Sequence, residues 1–296
     1  MSGLFNHTPD LSVIRLGSNR LTGGIPASIA SLSRLETLVL EDNLLSGPMA
    51  PAIFNMSQLQ EIYVSRNNLS GTIPGNESFH LPMLQVISLG ENQFEGPIPL
   101  GLSACKNLEM LSLAVNNFTG TVPSWLATLP NLTIIYLSTN DITGKIPIEL
   151  CNHTKLAGLD LSENKLEGRI PAELGQLTNL VYLSFASNQI TGDIPESIGN
   201  LSELTQIDLF GNGLTGSVPV SFKNLLNLST MFLLKNQLSG TIAHFLAALS
   251  TCRRLNTIDI SYNTFTGSLP PYVLVWLHSN TPQSTWFAQT TWIGVY

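Results

Sequence analysis

An asparagine recurs along this chain at an almost fixed interval, and self-similarity of that kind points to a stack of like units rather than to a conventional globular core. The anchors are Asn19, Asn43, Asn67, Asn92, Asn116, Asn140, Asn164, Asn188, Asn212, Asn236 and Asn263, 24 residues apart except for one step of 25 and one of 27, which makes eleven units. A leucine stands eight residues before every anchor, from Leu11 to Leu255, and a glycine stands four after it, from Gly23 to Gly267. Five and three residues before the anchor the chain is always apolar, as in Leu38 and Leu40 or Ile207 and Leu209. Apolar positions two apart predict a short strand with one buried face, so each unit supplies one strand to a parallel sheet. The asparagine follows that strand where the chain must turn, and its amide can bond backbone groups that the turn leaves unpaired inside the coil. Losing one such amide should cost about 1–3 kcal/mol through orphaned polar groups. The glycine then reaches dihedrals that a Cβ would forbid.

Seven residues after the anchor comes a proline in nine of the eleven units, with Ala50 and Ala243 the exceptions. Proline cannot donate to a ladder, so this stretch must lie off the main sheet, on a flank or edge. Together the positions read L-x-x-L-x-L-x-x-N-x-L-x-G-x-I-P, with Leu166-Glu167-Gly168-Arg169-Ile170-Pro171 a full example of the second half.

That pattern resembles the plant-specific class of leucine-rich repeat, found in ectodomains of receptor-like kinases, receptor-like proteins and polygalacturonase-inhibiting proteins. The resemblance covers residues 11–270, and its L-x-G-x-I-P piece is the discriminating part. It implies an α/β-type leucine-rich repeat solenoid: about eleven 24-residue repeats, a parallel concave sheet, and a convex side that is mostly irregular or short 3-10 helix. Residues 1–10 read as a partial repeat, and residues 271–296, rich in Ser, Thr, Gln and Trp, as a tail matching no unit. Ectodomains of this family resemble solenoids closed by paired-cysteine caps, which this chain lacks, so it reads as part of an ectodomain.

The charge balance narrows the partners. A formal net charge of -7 leaves no excess of cations for a phosphate backbone, which argues against nucleic acid and anionic membrane surfaces. Met1-Ser2-Gly3-Leu4 has neither the basic nor the apolar region of a signal peptide, and no run of eighteen apolar residues occurs, so this chain itself is not expected to contact a membrane. Cys105 and Cys252 fall in a slot otherwise filled by leucine, and Cys151 is two units from Cys105, about 10 Å at the spacing of stacked strands and too far for a disulfide. All three are expected to be buried free thiols. Nine asparagines stand in N-x-S/T sequons, namely Asn6, Asn55, Asn68, Asn76, Asn117, Asn131, Asn152, Asn200 and Asn227. Asn55, Asn152 and Asn200 share one register and Asn131 and Asn227 another, both expected on the convex side, where glycans are tolerated.

Three further patterns invite chemistry and are better explained by the repeat. Gly211-Asn212-Gly213-Leu214-Thr215-Gly216 satisfies the dinucleotide-binding pattern, yet Asn212 and Gly216 are ordinary repeat positions and no helix is expected to follow. Asp160, Asp208 and Asp259 occupy equal positions on the concave strands, two units apart, but L-x-L-D-L-S is a common solvent-facing variant of the repeat, so catalysis is not expected. The histidines show no metal-binding spacing, and His153 falls in a leucine slot as a packing residue. Neither cofactor nor metal is called for.

What remains is recognition. Residues one, two, four and six before each asparagine face outward from the concave sheet. In the first seven units they are mostly small or polar, with Tyr63 and Tyr136 standing apart. In the last four they include Tyr182, Asp208, Phe210, Phe232, Leu234, Lys235, Asp259 and Tyr262, an aromatic-rich set of the kind that marks an interaction site. The resemblance implies a non-enzymatic extracellular recognition module at the plasma membrane, binding a peptide or protein ligand and pairing with a co-receptor, in a parent protein that carries a Ser/Thr kinase. The alternative is a secreted inhibitor of a wall-degrading glycosidase, for which a basic concave stripe would be the sign.

Overall fold

The computed structural model describes residue 8, residues 10–75 and residues 79–269. Sequons Asn6 and Asn76 and the tail from residue 271 lie outside the described residues. Eleven short strands form one parallel sheet in chain order: Val13–Arg15, Thr37–Val39, Glu61–Tyr63, Val86–Ser88, Met110–Ser112, Ile134–Tyr136, Gly158–Asp160, Tyr182–Ser184, Gln206–Asp208, Thr230–Phe232 and Thr257–Asp259. Their register keeps equivalent residues side by side, as in Ile14 beside Leu38, Leu159 beside Leu183 and Met231 beside Ile258. The middle residue of almost every strand, and the apolar residue two further on, are buried in one continuous core. Stacking like residues is what makes that core possible, because no unit could bury its apolar face alone.

The asparagines tie each turn to the unit before it. Asn140 donates from Nδ2 to the carbonyls of Leu137 and Ser138 in its own turn and of Leu113 one unit back, all at 3.1 Å, while its Oδ1 accepts the Phe118 amide at 2.9 Å. The same set recurs up to Asn263, where Leu238, Leu233, Ile260 and Ser261 take the equivalent places. Among the described residues, Asn19 donates only within its own turn, to Leu16 and Gly17. The sequence announced the local bonds but not the bonds between units.

The turn has a second demand that periodicity did not reveal. The residue before each asparagine is left-handed, with φ of 51–57° at ten non-glycine positions that include the β-branched Val115 and Thr139. Such a conformation costs an L-residue roughly 1–2 kcal/mol, and the asparagine's four bonds are what hold it. Only Gly211, at φ 66°, meets this demand without strain.

The glycine-containing stretches do leave the main sheet as expected, but they are not merely irregular. They pair in parallel into two flanking sheets, five strands from Thr22–Gly23 to Asn117–Thr119 and four from Thr143–Gly144 to Gly213–Thr215. On the convex side, Pro26, Pro147 and Pro195 cap 3-10 helices with φ between -63° and -66°. Their carbonyls accept the amides of Ile29, Leu150 and Ile198. One unit departs from this. Where Ala243 replaces the proline, Thr241 caps instead, its hydroxyl accepting the His244 amide at 3.2 Å, and a true α-helix forms over Ile242–Ala248. The long 27-residue step between Asn236 and Asn263 supplies its extra length. Elsewhere the convex helices are so close that a Cβ on Gly175 would lie 2.3 Å from the Ser197 carbonyl oxygen.

Cys105, Cys151 and Cys252 are buried free thiols. Burial pushes them up to about 12, 11 and 11 respectively. At neutral pH they should resist a thiol reagent in the native protein, because the thiolate is the reactive form. Denaturation without reductant should then expose three thiols per chain, and a count of one would reveal a disulfide incompatible with this stacking. His153 is also buried, with Nε2 against the Leu132 carbonyl, which is a packing role.

Candidate functional site

The concave face changes character along its length. In the early units most of its outward residues are small or satisfy one another, with Tyr63 the aromatic exception. A shallow cavity of about 260 Å³ there is lined by Ser65, Arg66, Ser88, Gly90 and Glu91 among others. Arg66 is held by Glu91 at 2.9 Å and Asp42 at 3.5 Å, and Ser65 shares a hydrogen bond with Ser88 at 2.7 Å. Ser112, read from the sequence as an outward residue of this column, is buried, and its short side chain lies between Ser88 and the much larger Tyr136 in register.

Aromatic character begins two units earlier than the sequence suggested. Tyr136 does not stand apart, because its ring meets that of Tyr182 edge to face, centroids 6.3 Å apart at 87°. Gly158 lies between them in the sheet, and a Cβ there would come within 3.3 Å of the Tyr136 ring and hydroxyl. The missing side chain at Gly158 is therefore what lets the two tyrosines meet. Sequence reading passed over this residue because a lone glycine in a strand slot carries no chemistry of its own. Burial first, then the Asp160 charge, raises both phenols, Tyr182 to about 12. Both are neutral hydrogen-bonding groups at physiological pH.

One column of outward residues runs Tyr136, Asp160, Ser184, Asp208, Phe232, Asp259 in direct register. The carboxylates in it have a turn-stabilising task. Asp160 Oδ1 accepts the Ser162 amide at 3.0 Å and hydroxyl at 2.6 Å, Asp259 does the same for Ser261 at 2.9 and 2.6 Å, and Asp208 accepts the Phe210 amide at 3.0 Å. Only one oxygen of each is engaged among the described residues. Burial raises the Asp208 carboxyl above its usual range, the Phe210 amide opposes this, and the Asp160 charge adds to it.

Beside this column Phe210 and Leu234 are half-buried, and Lys235 places its ammonium 5.3 Å from the centre of the Phe210 ring, a cation–π contact. Tyr262 on the last unit is 70% exposed. Tyr182, Asp208, Phe210, Phe232, Leu234 and Lys235 thus share a continuous patch on three adjoining units, with Asp259 and Tyr262 at its end. Apolar rings flanked by carboxylates, Asp208 desolvated among them, and by the Lys235 ammonium suit an extended chain bearing both apolar and cationic side chains.

A stability consequence follows for Asp208. Its folded-state pKa is raised, so the folded state holds the proton more tightly than the unfolded chain, and stability from this group is present at low pH and lost as pH rises through the folded value. Asp208→Asn keeps the acceptor for Phe210 and removes the buried charge. It should melt above the wild type at neutral pH, with the gap closing below the ordinary carboxylate range. A variant that melts lower at neutral pH would show that the carboxylate is stabilised by its surroundings.

The comparisons with known proteins agree with this geometry. Leucine rich repeat models match residues 106–166 and residues 10–32, 58–77, 179–201, 203–225 and 254–274. No curated protein sequence matches the chain. Among solved structures, a TDR receptor is 33% identical with a TM-score of 0.84, over 90% of this chain and 45% of that one. The plant peptide hormone receptor RGFR1 in complex with RGF2 is 31% identical with a TM-score of 0.76, over 91% and 50%. The Arabidopsis receptor kinase HAESA, in complex with the peptide hormone IDA and the co-receptor SERK1, is 28% identical with a TM-score of 0.61, over 90% and 52%. The chain therefore spans about half the length of these ectodomains. With its eleven-stranded parallel sheet and L-x-G-x-I-P flanks, it belongs to the leucine-rich repeat family, as a solenoid of the plant receptor ectodomain kind.

Proposed function

We infer that this chain is the ligand-recognition part of a plant cell-surface receptor kinase, exposed on the outer face of the plasma membrane and binding an extended peptide along its concave sheet. The observation that carries this reading is the concentration of rings at one end of the concave face: Tyr136 against Tyr182, then Phe210 and Phe232, with Asp208 desolvated among them. Rigid aromatic surface is where interface energy concentrates. The receptors it resembles include complexes with peptide hormones, one of them with a co-receptor as well, which supports a peptide ligand and a second protein partner here. The peptide should carry a lysine or arginine near an apolar residue, matching Asp160 and Asp208 beside the rings. A kinase in the parent protein would convert occupancy into a signal.

Selection from a random peptide display library tests this. Wild-type chain should enrich peptides with a basic residue next to an aromatic or aliphatic one, and a Tyr182→Ala, Phe232→Ala double variant should not. Enrichment of the same peptides by both would place the site elsewhere.

A further inference from the structure

Asparagine fills a second recurrent slot, nine residues before the ladder position, in four units: Asn107, Asn131, Asn179 and Asn227. In all four the side-chain amide donates to a backbone carbonyl of the preceding unit: Asn107 to Pro82 at 3.0 Å, Asn131 to Lys106 at 3.3 Å, Asn179 to Thr154 at 2.8 Å and Asn227 to Ser202 at 2.9 Å. Asn131 and Asn227 are held from the other side too. The Asn131 Oδ1 accepts from Lys155 Nζ at 3.1 Å, and the Asn227 Oδ1 accepts from an Arg254 guanidinium nitrogen at 2.7 Å. Each half-buried amide is thus fixed at both ends, joining its own unit to the units before and after it.

The neighbours of this slot show what its asparagine is for. Asn107-Leu108-Glu109 and Asn179-Leu180-Val181 are not glycosylation sequons, yet they make the same bond as Asn131-Leu132-Thr133 and Asn227-Leu228-Ser229, which are. Asparagine recurs here with or without the hydroxyl residue that sugar transfer needs, so the bond is the common property. The other described sequons behave differently. Asn55, Asn152 and Asn200 end the convex 3-10 helices Pro51–Asn55, Ile148–Asn152 and Glu196–Asn200. Asn68 and Asn117 open the flanking strands Asn68–Thr72 and Asn117–Thr119. All five are exposed, and none is an anchor of either asparagine ladder.

We propose that the secreted protein carries N-linked glycans on Asn55, Asn68, Asn117, Asn152 and Asn200 and leaves Asn131 and Asn227 bare, because these two amides are structural clamps. The proposal rests on the extracellular reading above. A glycan replaces a hydrogen of the amide nitrogen with a bulky sugar. At Asn131 that nitrogen faces one unit's carbonyl while the adjoining oxygen holds the next unit's ammonium, so a sugar must displace a partner on at least one side. Sugar transferred before folding would then hinder closure of the coil, and folded, secreted molecules would be depleted of it. The five accepting positions lie on the convex row or on the flank of the early units. The aromatic part of the concave face stays uncovered, as a ligand site must.

Occupancy can be read directly. The chain is secreted from insect or plant cells behind an added leader, deglycosylated in heavy-oxygen water, and each asparagine is scored by peptide mass spectrometry. Asn131 and Asn227 should be occupied at least about tenfold less than Asn152 and Asn200. Equal occupancy at Asn131 or Asn227 would overturn the proposal, as would a folded secreted protein with no sugar on any of the five exposed positions. Either failure leaves the ligand reading to its own test by peptide selection. In sugar-free bacterial protein, Asn131→Ala should lower the melting temperature and Asn152→Ala should not. Equal melting of the two variants would remove the clamp on which the selectivity depends.

Discussion

Phe232→Ala is expected to weaken peptide binding by about 2 kcal/mol or more, near thirtyfold in affinity, with little change in the melting curve. The ring projects from the concave side of the strand Thr230–Phe232, between Asp208 and Asp259 in register, and is half-buried rather than part of the core. Its removal takes apolar surface from the ligand without opening a cavity inside the coil. Tyr182→Ala should cause a comparable loss of affinity but also a modest loss of stability, about 0.5–1.5 kcal/mol, because its ring packs edge to face on Tyr136. Ser112→Ala, in the same column as Phe232 five units earlier, should leave affinity unchanged. Calorimetric titration with a selected peptide, beside thermal melts of each variant, separates these outcomes. Unchanged affinity in both aromatic variants would move the site off this patch.

Asn140→Ala is expected to cost about 1–3 kcal/mol or somewhat more, the largest stability effect of any single polar substitution discussed here. The side chain satisfies the Phe118 amide and three carbonyls in two units, and it holds Thr139 left-handed at φ 54°. Alanine leaves the Phe118 amide without its partner and releases a strained turn. Urea melts against Asn152→Ala, an exposed asparagine at the end of a convex helix, supply the control. Similar midpoints for the two would mean that the ladder does not carry the turn.

The fold was legible because each unit states its period eleven times over. The strand positions, the asparagine turn, the off-sheet prolines and the buried thiols all follow from spacing and residue type. What spacing could not show was partnership between units. The Phe118 amide meeting Asn140 and the pairing of Gly144 with Leu166 in a flanking sheet depend on which unit lies beside which in three dimensions. The left-handed residues were hidden for another reason: Val115, Thr139 and Tyr262 have no common side-chain chemistry, only a common place before the ladder.

The candidate site divides the same way. Phe210, Phe232 and Tyr182 could be placed on the outward face by counting back from an asparagine. That Tyr136 joins them could not, since it depends on the empty space above Gly158. Nor could counting reveal that Ser112 is buried: Ser88 and Ser184, short side chains in the same column, are buried as well, so exposure there follows side-chain length and not place in the repeat alone.

The central claim is that ligand lies on the late, aromatic part of the concave sheet and not on its early part. Leu234 and Ala114 stand two residues before their asparagines, in the same column of different units, which makes them a matched pair of reporters. A photoreactive benzophenone amino acid placed at either position, with a peptide selected by the wild-type chain, should crosslink strongly from position 234 and negligibly from position 114. Crosslinking from position 114 alone would contradict the account.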